Sequence, residues 1–180
     1  MFPLIPFEAF PGWFAGGAVD ADIGHALNPV LHVLTHVFLI RHPRRVLASY
    51  AKKTENVSEA DIGCRRMLEI DRRITDLTGR QSVVVASEDI LADPEGMLTA
   101  LCAAIGMDFD PAMLSWAAGP RPEDGVWGAH WYDAIWKSTG FSTPESTALP
   151  AELPVRLKAI EAEALPAYES MAARRIGAAG

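Results

Sequence analysis

Residues 36–50 read HVFLIRHPRRVLASY, and the change of pattern within them decides the fold. The apolar run at residues 37–40 has the composition of a strand that is buried on both faces. Pro43 suits the first position of a helix, because its ring fixes φ near the helical value. The stretch therefore predicts a strand, a turn that carries Arg41, and a helix that carries Ser49.

Arg41 and Ser49 make this strand–turn–helix unit a candidate anion site. Arg41 follows the strand at the end where open α/β sheets bind ligands, and a guanidinium matches the geometry of phosphate oxygens. The start of the helix adds free N–H groups and the positive end of the helix dipole. An Arg at a strand end can also pair with a structural carboxylate, and a Ser in a helix means nothing alone. The argument for binding depends on the eight-residue separation of the two side chains.

Four charged residues near this unit are interpreted as structural. We predict that Arg44 and Arg45 are exposed on the helix, with a minor share in any phosphate field. We predict that Glu88 and Asp89 cap or brace the next helix, rather than serve as a general acid and base.

The rest of the chain predicts helices that alternate with a second buried strand. Residues 82–86 are rich in β-branched side chains, as buried strands are. Capping residues and apolar side chains at 3–4 spacing predict helices at residues 58–79, 93–106 and 154–174. This alternation predicts an α/β fold with a parallel sheet, in one domain that covers residues 36–176.

Residues 1–35 differ from the remainder. They contain no Lys or Arg, whereas all 16 basic residues lie at Arg41 or later. Five aromatic residues stand among prolines and glycines, and neither helical nor strand periodicity is visible up to Gly24. We therefore predict an irregular, atypical N-terminal segment at residues 1–35.

The overall composition is that of one globular domain. Hydrophobic residues make up 49% of the chain and charged residues 22%, which is ordinary for this class. The formal net charge of −7 argues against partners such as nucleic acid or an anionic membrane. No secretory signal and no bilayer-spanning run is evident. We expect a cytoplasmic protein in which Cys64 and Cys102 are reduced core residues.

The motif formed by Arg41, Pro43 and Ser49 resembles the 3′-phosphate-binding motif of sulfotransferases that use 3′-phosphoadenosine-5′-phosphosulfate (PAPS). In that family a strand ends on an Arg, a turn follows, and a Ser lies eight residues after the Arg. Residues 87–94, SEDILADP, look like the family's Tyr-Glu-Asp-Leu…Asp-Pro segment. The resemblance implies that Arg41 and Ser49 bind the 3′-phosphate of PAPS.

Later residues resemble one branch of the family more closely. Trp131-Tyr132 and residues 138–141, STGF, are similar to a bacterial sulfotransferase-like branch, whose members are sometimes named branched-chain-aminotransferase-like. In sulfotransferases a late loop with basic residues and glycines closes over the nucleotide. By this likeness Lys137 becomes a third candidate cofactor contact, with plain surface exposure as the alternative.

Two departures from the family pattern bear on activity. The Tyr that contacts adenine corresponds to Ser87, which can hydrogen-bond but cannot stack. The family's N-terminal loop, which is rich in Gly, Ser and Thr and carries Lys or Arg, has no counterpart in residues 1–35. That loop neutralises the 5′-phosphosulfate as the S–O bond breaks.

The resemblance implies a P-loop-type parallel sheet flanked by helices, which we expect to be N-terminally incomplete. A truncated gene product or a shifted reading frame before about Thr35 would explain the missing loop. The implied activity is transfer of a sulfuryl group from PAPS to an unknown small-molecule hydroxyl or amine acceptor, with little turnover expected from this chain. The alternatives are a non-catalytic adenosine-nucleotide-binding or interaction protein that retains the 3′-phosphate site, and a nonfunctional fragment.

No metal site is predicted. His32 and His36 are four residues apart, a spacing that suits two zinc ligands on a helix. His36, however, opens the predicted strand, and no third ligand is apparent in the sequence.

Overall fold

The computed structural model describes residues 31–51, 56–125, 132–142, 149–150 and 152–178. Residues 31–33 are helical. After them, within these ranges, two strands and seven α-helices follow one another along the chain, with two 3₁₀ turns between the fifth and sixth of these helices. The strands are β1 (Val37–Ile40) and β2 (Val83–Ala86), and the 3₁₀ turns are Pro111–Leu114 and Pro122–Asp124. The helices are α1 (Pro43–Tyr50), α2 (Glu59–Ile62), α3 (Cys64–Thr78), α4 (Ser87–Ala92), α5 (Pro94–Ile105), α6 (Asp133–Trp136) and α7 (Val155–Ala172).

The two strands are parallel neighbours, as the alternation of strands and helices predicts. Val37 lies opposite Val83, and Ile40 lies opposite Ala86. The carboxyl ends of both strands therefore coincide, and the turns that follow them emerge side by side. Helices with a small parallel sheet make an α/β fold. The finer predictions, a P-loop-type sheet and an incomplete N-terminus, stay predictions.

The two faces of the sheet differ in burial. Phe38 and Ile40 of β1 pack with Val84 and Ala86 of β2 against residues of α3 and α7. On the opposite face Val85 is 2% exposed, and β2 also contacts α4 and α5.

Strand β1 lacks that second cover, since its Val37 and Leu39 are 41% and 57% exposed. The prediction that this strand is buried on both faces is wrong, whereas its existence and direction are confirmed.

Helix α7 is the central packing element. It contacts β1, β2, α1, α2 and α3. Leu157, Ala164 and Met171 lie on its inner face and are at most 1% exposed. Pro166 lies inside the helix, on its exposed side. No helix in the described ranges is both long enough and apolar enough to cross a membrane.

The helix predicted from Ser58 to Gly79 is interrupted at Gly63. Ser58 and Asp61 form the expected capping box, but the helix that they open, α2, is a single turn. Gly63 has a φ of 65°, a left-handed conformation that glycine adopts without a Cβ clash. Helix α3 then begins at Cys64 in a new direction. The outer arginines of α3 are exposed, namely Arg65, Arg66, Arg72 and Arg73.

Candidate anion-binding site

Arg41 is the first residue after β1 and is exposed. Its side chain makes no hydrogen bond and no ion pair within the part of the chain that the structure describes. A guanidinium normally finds a carboxylate when one is in reach, so an uncommitted Arg at the carboxyl end of a parallel strand is available to a ligand anion. The alternative that Arg41 pairs with a structural carboxylate finds no support in these contacts.

Arg44 is held by a carboxylate of the last helix. Its Nε and Nη2 donate to Oε1 and Oε2 of Glu161 at 2.7 and 3.0 Å, a bidentate pair. Glu161 is 5% exposed, and the Arg44 side chain is 33% exposed. The hydrogen bond to Glu161, opposed by partial burial, raises the pKa of Arg44. The prediction that Arg44 is an exposed helix residue is therefore wrong.

Arg45 lies beside a second carboxylate. Its Nε is 3.5 Å from Oε1 of Glu88, and its side chain is 16% exposed. The same Oε1 accepts the backbone N–H of His42 at 3.2 Å, and Oε2 accepts the Ser87 hydroxyl at 3.1 Å. Glu88 thus ties the turn after β1 to the turn after β2. The prediction that Arg45 is exposed is therefore wrong.

Glu88 and Asp89 do not cap the next helix, α5, whose N-cap is Asp93; the Asp93 side chain accepts the backbone N–H of Gly96 at 3.0 Å. Asp89 instead pairs with Arg175 of the C-terminal tail at 2.7 Å. The two carboxylates therefore brace the turn after β1 and the C-terminal tail, and their predicted role at the next helix is not confirmed.

His42 caps the first turn of α1. Its Nδ1 accepts the backbone N–H of Arg44 at 3.2 Å, which requires that nitrogen to be unprotonated. Its ring meets Tyr168 edge to face, with centroids 5.1 Å apart. Burial lowers the pKa of His42 from its ordinary value of 6.5, and Arg44 and Arg45 act in the same direction, against Glu161 and Glu88. The imidazole is therefore held neutral near neutral pH.

Ser49 is the penultimate residue of α1 and is exposed. Its hydroxyl makes no hydrogen bond among the described residues. It lies six residues, or roughly 9 Å along the helix axis, beyond Pro43, and it shares a helix face with Arg45 four residues earlier. Arg41 and Ser49 thus lie on one strand–turn–helix unit, and neither side chain has a polar partner among the described residues.

Lys137 is exposed and directly follows α6. Its loop is fixed to the segment around residues 115–124 rather than to the sheet. The Trp116 N–H donates to the Thr139 carbonyl at 3.0 Å, and the Gly119 N–H donates to the Trp136 carbonyl at 2.8 Å. The indole of Trp136 donates to Asp124 at 2.6 Å. No contact that the structure describes joins Lys137 to the other two candidates.

A small cavity of about 110 Å³ lies beside Arg41. Its walls are mainly apolar and come from β1, α1, α2, α3 and α7, with Tyr168 and Cys64 among them. Ligand pockets in proteins usually measure about 300–1,000 Å³. The cavity is therefore too small for a nucleotide, and an anion at Arg41 would bind at the open surface.

Ser87 is the residue that the resemblance aligns with an adenine-contacting Tyr. Its hydroxyl donates to Oε2 of Glu88, and it offers no ring on which a base could stack.

No group of three or more metal-ligating side chains occurs among the described residues. His36 Nε2 lies 3.0 Å from the Leu31 carbonyl oxygen.

Glu161 and His42 were not identified from the sequence. For Glu161 a signal exists, because it lies four residues after Leu157 and three before Ala164, on the apolar face of a predicted helix. An acid at such a position needs a cation partner. For His42 the signal is its place directly before Pro43, the position of a helix N-cap.

Two curated proteins resemble the chain over 133 residues. They are the branched-chain-amino-acid aminotransferase-like proteins 2 and 1 of Arabidopsis thaliana, at 33% and 34% identity. The match covers 74% of this chain and 23% of each relative, so the chain spans about a quarter of their length.

The family of the chain follows from a second comparison. No solved structure matches the chain. A family model described as a sulfotransferase domain matches residues 25–175. That range holds β1, β2, every helix named above and the turn with the uncommitted Arg41, and the chain therefore belongs to the sulfotransferase family.

Proposed function

We propose that this chain binds the 3′-phosphate of PAPS through Arg41 and Ser49, as part of the sulfuryl-transfer chemistry of its family. Sulfotransferases normally take the sulfuryl group from PAPS. The observation that carries the proposal is the state of Arg41, which is exposed at the carboxyl end of β1 and has no carboxylate partner among the described residues.

The neighbouring residues support this choice of ligand. Arg44 and Arg45 each lie against a carboxylate, so the turn presents one uncommitted guanidinium rather than three. A single guanidinium with a nearby hydroxyl suits a phosphomonoester, which offers three oxygens to a planar donor fork. The open surface suits a nucleotide that is only partly enclosed at this end.

The acceptor would be a small molecule with a hydroxyl or amine group. In the reaction its oxygen or nitrogen forms a bond to sulfur while the bond between sulfur and the 5′-phosphate oxygen breaks, and the acceptor proton leaves to a base. Negative charge then grows on the leaving phosphate. Residues 1–40 contain no Lys or Arg to neutralise that charge, and Lys137 is the remaining candidate in a closing loop.

This charge balance favours a second candidate function, binding without turnover. A protein that keeps the 3′-phosphate contact but lacks cations at the 5′ end would bind adenosine 3′,5′-bisphosphate and release it unchanged. The missing positive charge in residues 1–40 is the observation that supports this alternative. Binding measurements and turnover measurements distinguish the two functions.

Calorimetry with adenosine 3′,5′-bisphosphate tests the proposal. We expect the wild-type protein to bind and Arg41→Ala to bind roughly ten- to a hundredfold more weakly, because one charge-assisted contact is worth about 1.5–3 kcal/mol. Arg73→Ala is the matched control. Arg73 is exposed on α3, so this substitution removes the same charge from a different part of the surface. Equal affinities for wild type and Arg41→Ala, with both folded, would show that Arg41 is not the binding residue.

A further inference from the structure

Three arginines lie within five residues at the start of α1, and two of them lie against a carboxylate. Glu161 binds Arg44 and Glu88 approaches Arg45, while Arg41 is not paired with either. The first turn of α1 is thus fastened from two directions, by α7 through Arg44 and by α4 through the His42 N–H and Arg45.

The contact with Glu161 is the stronger of the two. Both oxygens of Glu161 are used by one guanidinium, at 2.7 and 3.0 Å. A bidentate pair fixes direction as well as distance, because the fork and the carboxylate must be coplanar. Glu161 is 5% exposed, so a rearrangement that left its carboxylate without Arg44 would be unfavourable.

The position of Arg44 adds to this argument. It is the second residue of α1, where the positive end of the helix dipole disfavours a cation. A cation at this point is tolerated because a carboxylate meets it. Without Glu161, Arg44 would be free to turn toward solvent, and the first turn of α1 would lose its ion pair with α7 and keep the ring contact between His42 and Tyr168.

We propose that Glu161 is a positioning residue for the Arg41 site: by binding Arg44 it fixes the first turn of α1 and leaves Arg41 as the guanidinium that the turn presents to a phosphate. This inference rests on the proposed function. Glu161 does not touch the ligand, and its effect passes through Arg44 to the backbone that joins Arg41 to α1.

The test combines arginine reactivity with nucleotide affinity. Phenylglyoxal modifies accessible guanidinium groups, and mass spectrometry locates the modified residues. In the wild-type protein we expect fast modification of Arg41 and slow modification of Arg44. In Glu161→Gln we expect Arg44 to react at least about fivefold faster, since the amide cannot accept both of its donors.

Calorimetry on the same proteins supplies the second readout. We expect Glu161→Gln to bind adenosine 3′,5′-bisphosphate about fivefold or more weakly, which is part of the ten- to hundredfold effect of a charged hydrogen bond. Its affinity for adenosine 5′-monophosphate, which lacks the 3′-phosphate, should change much less. The double exchange Arg44→Glu with Glu161→Arg should restore the preference for the 3′-phosphate.

Glu163→Gln is the matched control. Glu163 lies on the same helix, but it is 51% exposed and pairs with Arg65 of α3 at 2.6 Å. We expect this variant to match the wild type in both assays.

The outcomes separate the two proposals. A wild-type protein that fails to bind the bisphosphate would overturn the proposed function, and with it the role of Glu161 in binding. A wild-type protein that binds, together with an unaltered 3′-phosphate preference in folded Glu161→Gln, would overturn the positioning role alone. If phenylglyoxal modifies Arg44 of the wild-type protein as fast as Arg41, the positioning role is also overturned. This measurement uses the wild type alone and does not depend on the folding of any variant.

Discussion

The backbone N–H of Ile176 donates to the carbonyl of Val84 at 2.9 Å. The backbone N–H of Val83 donates to the carbonyl of His36, on the side of β1. In a strand the N–H and C=O of one residue point to the same side and those of the next residue to the opposite side, so the Val84 carbonyl points away from β1. The bond to Ile176 therefore lies on the edge of β2 that faces away from β1. The C-terminal tail covers this edge, and Arg174 fastens it by binding buried Asp71.

Removal of Arg174 should destabilise the fold markedly. Asp71 is 4% exposed, and Arg174→Ala would leave its carboxylate buried without a cation. Breaking a buried pair costs about 3–5 kcal/mol. We expect the lower end, about 3 kcal/mol, because the Arg174 side chain is 27% exposed. Urea denaturation followed by circular dichroism measures the change.

Arg175→Ala is the control for this prediction. The adjacent Arg175 pairs with Asp89 at 2.7 Å, but the two side chains are 45% and 34% exposed. An exposed pair of this kind contributes below about 1 kcal/mol. Equal losses for the two variants would mean that the ion pair with Asp71 is not what fastens the tail.

His42 should make stability fall in acid. Burial is the main cause that lowers its pKa in the folded protein, so the unfolded chain binds its proton at higher pH than the folded chain does. The stability that depends on neutral His42 is fully present above the unfolded value, about 6.5, and declines as the pH falls below it. Protonation of Nδ1 would also remove the acceptor for the backbone N–H of Arg44.

The measurement is the urea midpoint of wild type and His42→Asn between pH 7.5 and 5.5. Asn can cap a helix but does not titrate in this range. The midpoint of the wild type should decline more steeply with acidification than that of the variant. Parallel curves would assign the acid sensitivity to other groups.

The two cysteine thiols should be unreactive in the folded protein. Cys64 and Cys102 are free and buried, and burial raises the pKa of the Cys64 thiol to about 11. The thiolate is the reactive form, so Cys64 should not react with a disulfide reagent such as Ellman's at pH 8. Both thiols should react at once in 6 M guanidinium chloride. Rapid labelling of Cys64 in native buffer would contradict the packing described between α3 and α7.

Sulfuryl transfer by this chain should be very slow. Removal of one oxyanion donor typically costs a factor of about 10²–10³ in rate, and residues 1–40 offer no cation at all. We expect no turnover of radiolabelled PAPS with phenol, alcohol or amine acceptors. Turnover that survives purification and disappears in Lys137→Ala would contradict this expectation and make Lys137 the catalytic cation.

Local patterns in the sequence predict the secondary structure well, because they depend on a few neighbouring residues. The run at residues 37–40 and Pro43 predict a strand and a helix start that the structure confirms. The capping box at Ser58 is likewise confirmed. The break at Gly63 is missed, because a glycine within a helical pattern is compatible both with a helix and with a left-handed turn.

Long-range partners could not be predicted in the same way. Arg44 and Glu161 are separated by 117 residues, and no local pattern links a cation at the start of one helix to an acid in the middle of another. The exposure of Val37 and Leu39 was missed for a related reason. An apolar run indicates which side chains suit burial, but the element that covers each face is set by tertiary packing.

The packing of α7 has a consequence for synthesis on the ribosome. This helix supplies the contacts that join β1, β2, α1, α2 and α3, yet it spans residues 155–172 and is translated after all of them. Until it emerges from the exit tunnel, Ile40, Val84 and Leu47 have no complete partner surface. Contacts of such long sequence separation form slowly, and the nascent chain would expose apolar side chains meanwhile. Folding of this domain should therefore wait until α7 has left the exit tunnel, and until then the growing chain should be a substrate for chaperones that bind apolar segments.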